Sequence, residues 1–201
     1  MTYTLVADGS SDAVLLPILD WCLRQRGVAQ IQNQWADRLR LPRAATLRER
    51  LGPILELYPC DVLFIHRDAE TQSPADRRHE ISGALHGRPN IRHIPVIPIR
   101  MTEAWLLADE AAIRRAAGNP NGTEPLNLPP LSRVESLPDP KTVLHEALRN
   151  ASGLNSRRRA AFPATERARR VVDYIDDFSP LTALSAFKGL QQDIASLLFQ
   201  G

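Results

Sequence analysis

Four acidic residues are distinguished by type and spacing. Asp8 and Asp12 bracket a Gly-Ser-Ser turn after the apolar run ending at Ala7, and Asp68-x-Glu70 closely follows Val62-Leu63-Phe64-Ile65. Hard divalent cations such as Mg²⁺ or Mn²⁺ take oxygen ligands, commonly one or two carboxylates with several retained waters. A cation so held activates water and offsets charge growing on a phosphoryl group, and two of them about 3.5 to 4 Å apart stabilise attacking and leaving oxygens together. Asp8, Asp12, Asp68 and Glu70 are therefore the candidate metal ligands. Asp8, Asp68 and Glu70 are also the candidate catalytic groups, with Glu103 able to complete the shell. Each has a plainer alternative. Asp8 and Asp12 can cap a helix, Glu103 suits the positive first turn of one, and Asp68 with Glu70 can be a solvated loop.

The elements that would bring these acids together are legible in the apolar pattern. Tyr3 to Ala7 reads as a strand, followed by a helix with Leu15, Leu16, Leu19, Cys22 and Leu23 on one face, Pro17 either in its first turn or kinking it, and Gly27 as its stop. Residues 30–37 suit a short strand, and 44–57 carry Leu47, Leu51, Ile54 and Leu55 at helical spacing. Asp61 to Ile65 is a continuous β-branched and apolar run, as in a strand covered on both faces. Ser73-Pro74 opens a helix to about Leu85. Ile91 to Ile99 is a strand whose Pro95 and Pro98 mark an edge or irregular geometry, and Thr102 to Ala117 is one helix closed by Gly118. This alternation predicts an α/β fold, a parallel-dominated Rossmannoid sheet with helices on both faces, whose ligands bind beyond the carboxyl ends of the strands. Residues 1–118 would form that core and 119–140, rich in turn-formers, a loop or linker. A mostly helical C-terminal extension, 141–201, would follow, with helices at 141–150, 164–177 and 181–199.

Leu5-Val6-Ala7-Asp8-Gly9-Ser10-Ser11-Asp12 resembles the first TOPRIM motif, a strand ending in Glu-Gly with a further acid three residues on. Val62 to Glu70 resembles the second, a strand followed by Asp-x-Asp. Met101-Thr102-Glu103-Ala104-Trp105-Leu106-Leu107-Ala108-Asp109 is similar to a segment of bacterial TOPRIM-like proteins related to the overcoming-lysogenisation-defect nucleases. The resemblance spans about residues 3–117. It implies a TOPRIM-like parallel sheet, a divalent metal, nucleic-acid cleavage and, as in related families, an ATPase partner in a phage-defence module. Aspartate at 8 stands where the family has glutamate, and Glu70 where it has aspartate; each changes reach by one methylene. A non-catalytic protein that keeps the TOPRIM fold for interaction or regulation is the alternative.

Twenty-five basic residues against 23 acidic leave a net charge of +2, so no global field selects a polyanionic partner. Residues 141–170 are locally basic, and Lys141, Arg157, Arg158 and Arg159, with Arg67, Arg100 and Lys188, are the candidate nucleic-acid contacts, DNA or RNA. The alternative is a solvated face paired with Asp173, Asp176 and Asp177. Two cysteines, Cys22 and Cys60, form neither a metal knuckle nor a disulfide scaffold, and no run of about 18 apolar residues exists, so a cytoplasmic protein without a membrane span is expected. His66, His79, His86, His93 and His145 lack ligand spacing and read as surface or structural residues; Trp21, Trp35 and Trp105 read as core. No dinucleotide fingerprint, P-loop or serine nucleophile elbow is present.

Overall fold

Alternation of apolar strands with amphipathic helices gives an α/β chain, described here for residues 1–41 and 46–199 by a computed structural model. Two compact units result, residues 1–97 with 188–201, and residues 98–187. The division thus falls at Pro98 and inside the last helix, not at 118/119 and 140/141. The 98–117 segment joins the later helices because its apolar groups pack there: Trp105 meets Phe187 edge-on at 5.4 Å, and Arg167 donates to the Ala116 carbonyl at 3.3 Å.

The first unit holds β1 (Thr2–Val6), β2 (Gln32–Trp35), β3 (Val62–His66) and β4 (His93–Val96), all parallel in the order β2-β1-β3-β4. The two central strands are the apolar ones. The edges carry what a central position would exclude: β2 reads Gln-Asn-Gln-Trp, and β4 contains Pro95, which has no N–H for a ladder. The expected 91–99 strand accordingly shrinks to four residues. β3 runs one residue further than expected, into His66, and all five of its residues are buried.

Both sheet faces are covered. On one, Tyr3 packs edge-to-face on Phe64 at 5.0 Å, and its hydroxyl donates to Asp20 at 2.8 Å and to the Leu16 carbonyl at 3.1 Å, tying β1 to α1 (Leu15–Arg24). On the other, Val6, Leu63 and Ile65 join Leu51 and Ile54 of α2 (Leu47–Leu57) and Ile81 and Ala84 of α3 (Pro74–Ala84) in one apolar cluster. A 3₁₀ turn, Ser10–Val14, leads into α1 and leaves Pro17 in its first turn, where a missing N–H costs nothing. Helix α2 starts with a reciprocal cap in which the Glu49 N–H donates to the Thr46 hydroxyl and the Thr46 N–H to Glu49. Residues 44 and 45 of the expected 44–57 helix lie outside the described residues. Helix α3 has Ser73 as cap and Pro74 at its first position, as its sequence predicts.

The second unit contains α4 (Glu103–Leu106), α5 (Glu110–Ala116), α6 (Pro140–Ala151), α7 (Ser156–Ala160) and α8 (Ala164–Arg169); α9 (Ser185–Phe199) begins in it and continues in the first unit. The single helix expected over 102–117 is two. Asp109 is extended, with φ −127°, and its carboxylate accepts from the Ala112 N–H at 2.9 Å, so it caps a new helix instead of continuing the old one. The helix expected over 164–177 likewise stops at Arg169 and gives way to a 3₁₀ turn at Val171–Tyr174, and a further 3₁₀ turn, Ser179–Ala183, precedes α9. Residues 119–139 are loop apart from a 3₁₀ stretch at Leu131–Ser136, and Pro140 already opens α6. Trp105 is wholly buried, whereas Trp21 and Trp35 are only partly so. Among the described residues, no helix is long and apolar enough to cross a membrane.

Candidate functional site

From β1 the chain crosses to β2 on one side, while β3 adds on the other, so the order of connection reverses between the carboxyl ends of β1 and β3. Open parallel sheets bind ligands at such a switch point, because the loops leaving the two strands diverge and leave a crevice. A cavity of about 300 Å³ lies there, and the described residues lining it all come from the first unit. Asp8, Asp12, Asp68 and Glu70 share it with Glu80, four arginines and His66. The strand-end carboxylates that the sequence singles out therefore converge.

Sheet register explains the central contact. Val6 pairs with Ile65, and two further residues along each chain set position 8 beside position 67. The Arg67 guanidinium bonds Asp8 with Nη1 and Glu80 with Nε, the latter at 2.9 Å. Arg50, reaching in from α2, donates from Nη2 to the other Asp8 oxygen at 2.9 Å. Arg38 donates to the Asp8 carbonyl at 2.7 Å and lies 3.9 Å from its carboxylate. Burial works against the charged form of Asp8, but the Arg67 and Arg50 guanidiniums outweigh it and hold this carboxyl below its ordinary range. Arg77, from α3, bonds the Asp68 carbonyl and Glu80, each at 2.9 Å, and approaches Glu70 at 3.4 Å. Glu70 itself has φ +54°, the left-handed region that favours glycine.

The opposite end of the cavity is organised by His66. Its ring nitrogens stand 3.4 Å from Asp12 and 3.2 Å from Asp68. Burial alone would discharge the imidazole, but the two carboxylates overcome it and raise its pKa to about 9. Asp12 also accepts from the Gly9 N–H at 3.0 Å and from the Ser11 hydroxyl at 3.2 Å. Burial opposes ionisation of Asp12 too, and His66 followed by these donors lowers its pKa nonetheless. Five carboxylates thus face four guanidiniums and an imidazolium at neutral pH, a balanced set.

This balance bears on a metal. By donor type the site fits a hard divalent cation, since the carboxylates converge from two adjacent strand ends. Their present partners are the protein's own cations, and among the described residues no three His, Cys, Asp or Glu side chains form a metal-binding group. A bound ion would have to replace guanidinium at Asp8.

The remaining sequence candidates belong elsewhere in the chain. Glu103, half-buried, and Lys141 are 3.9 Å apart within the second unit. Arg100 has φ +67°, and Arg157, Arg158 and Arg159 form most of the exposed face of the short α7. Lys188 is exposed on α9. Residues of the site that sequence reasoning left out are His66, Arg38, Arg50, Arg77 and Glu80. His66 carried a signal, a polar residue prolonging a strand buried on both faces; the other four sit on surfaces whose partners only the tertiary arrangement defines. Comparison with family models, with curated proteins and with solved structures finds no match to this chain.

Proposed function

We propose that this protein is a TOPRIM-like, divalent-metal-dependent phosphodiesterase acting on nucleic acid. The observation that supports it is the meeting of Asp8 and Asp68, from the ends of adjacent parallel strands, in one open cavity with Asp12 and Glu70. In this reading Asp8, Asp68 and Glu70 hold Mg²⁺ or Mn²⁺, and Asp12 supports them. When bound, the ion supplies an activated water and offsets charge at phosphorus. Around it the chain's own groups act: His66 keeps Asp12 and Asp68 oriented, and Arg67 and Arg77 fix Glu80. Arg157, Arg158 and Arg159, exposed on α7, are available to track a phosphate backbone, with Lys141, Arg100 and Lys188 as single contacts. Glu103, partnered by Lys141, is the weakest member of the catalytic set. An ATPase partner in a defence module is part of the same proposal.

Purified protein assayed on DNA and on RNA with each metal, beside Asp68→Ala, tests it. Metal-dependent nicking lost in the variant is expected, and equal activity in the variant removes Asp68 from the chemistry.

The charge balance favours a second reading, a non-catalytic TOPRIM-fold interaction or regulatory protein, because every acid near Asp8 already has a cation. Calorimetry separates the two: no heat with millimolar Mg²⁺ or Mn²⁺ supports the second.

A further inference from the structure

The two ends of the cavity differ in sign. At the Asp8 end three guanidiniums, from Arg38, Arg50 and Arg67, approach one carboxylate, and among the described residues only Arg67 also has a second carboxylate partner, Glu80. A single negative charge does not satisfy that many donors. Arg50 makes the shortage concrete. Its side chain is 7% exposed, its Nη2 is taken by Asp8, and its buried Nη1 has no hydrogen-bond partner among the described residues. Leaving a donor of a charged group buried and unpaired is costly, and an arrangement with that cost persists where an acceptor completes it.

We propose that the Asp8 end of the cavity is a phosphate subsite, in which a phosphoryl oxyanion is gripped by Arg50 and Arg67 with Arg38 at the mouth, and competes with the Asp8 carboxylate for the same guanidiniums. The ligand class follows from the donors. Guanidinium forks match the oxygen spacing of a tetrahedral oxyanion and keep their charge at any physiological pH. Asp12 and Asp68, gathered on His66, disfavour a second anion at the other end, so the subsite takes one phosphoryl group. This goes beyond the catalytic reading and needs no cation. A protein without hydrolytic activity would have the same subsite, and one with activity would use it to seat the phosphate beside the acids.

Titration of the full chain with inorganic phosphate, followed by ³¹P NMR and calorimetry with EDTA present, tests the subsite apart from any metal chemistry. Saturable one-to-one binding is expected. Arg50→Gln weakens it about 10- to 100-fold, the value of one charge-assisted contact. Arg38→Gln, at a half-exposed position that does not endanger folding, weakens it by a smaller factor. Asp8→Asn, checked for folding by its thermal transition, binds phosphate more tightly than the parent because the competitor is gone. Displacement of phosphate by a dinucleoside phosphodiester assigns the subsite to a chain-internal phosphate; displacement by a nucleoside 5′-monophosphate alone assigns it to a terminal one. Absence of saturable binding by the unmodified protein, unchanged affinity in Arg50→Gln, or no gain in Asp8→Asn overturns the proposal.

Discussion

His66 Nδ1 stands 3.4 Å from the Asp12 carboxylate, so the last residue of β3 is tied to the turn that follows β1. The same ring reaches Asp68 from Nε2 at 3.2 Å. One buried imidazole thus orients a carboxylate from each of the two loops that flank the switch point.

The sign of its pH dependence follows. The folded pKa of His66, about 9, lies above the ordinary 6.5, so the folded state binds the proton more tightly than the unfolded chain does. Its contribution is fully present below 6.5 and is lost as pH rises through about 9. Denaturant midpoints of EDTA-treated protein are expected to fall across that window by the equivalent of a few kcal/mol, and those of His66→Gln to change much less. An unmodified protein whose midpoint is as flat as the variant's contradicts a charged His66.

Glu70 combines an exposed carboxylate with a left-handed backbone, φ +54°. A side chain there costs roughly 1–2 kcal/mol, which glycine avoids. Glu70→Gly and Glu70→Ala both delete the carboxylate and the loose Arg77 contact, so their difference isolates the backbone. Thermal denaturation should place Glu70→Gly about 1 kcal/mol above Glu70→Ala. In the metal reading both lose affinity for Mn²⁺ alike.

Much of this arrangement is legible in the amino-acid sequence. The continuous apolar runs ending at Ala7 and Ile65 marked the two central strands, and acids directly after them had to meet if the strands were neighbours. Proline at 95 and 98 is compatible with an edge or with irregular geometry, and Pro95 does lie in an edge strand. The pairing of those acids was not readable, because it depends on register and on helix placement: Asp8 faces Arg67 through a ladder 59 residues apart in sequence, and Arg50 arrives from a helix 42 residues away. The helix break at Asp109 is not legible for a different reason: apolar spacing continues through it, and only the local competition between a side-chain cap and the helix decides where the first helix stops.

That competition is measurable at Asp109. Its carboxylate satisfies the Ala112 N–H, an orphan donor at the start of α5. Asp109→Ala is expected to destabilise by about 1 kcal/mol and Asp109→Asn or Asp109→Ser by much less, since both retain a cap acceptor. Equal losses for all three would mean that Asp109 matters through something other than the cap.

Asp8 should be the most costly single acid to remove from the cavity. Arg50 and Arg67 have side chains only 7% and 8% exposed, and taking away the carboxylate they share leaves two buried cations short of a partner. Asp8 is itself 54% exposed, which moderates the loss, so about 2 kcal/mol is expected for Asp8→Ala, against under about 1 kcal/mol for the exposed Glu70→Ala pair. Combining Asp8→Ala with Arg50→Leu removes the stranded cation as well as its partner. Chemical denaturation of the four members of that cycle should therefore show the double variant less destabilised than the sum of the singles, by about 1 kcal/mol or more. Strict additivity would mean that Arg50 is held by something other than Asp8, and the competition between carboxylate and phosphate for its guanidinium would lose its basis.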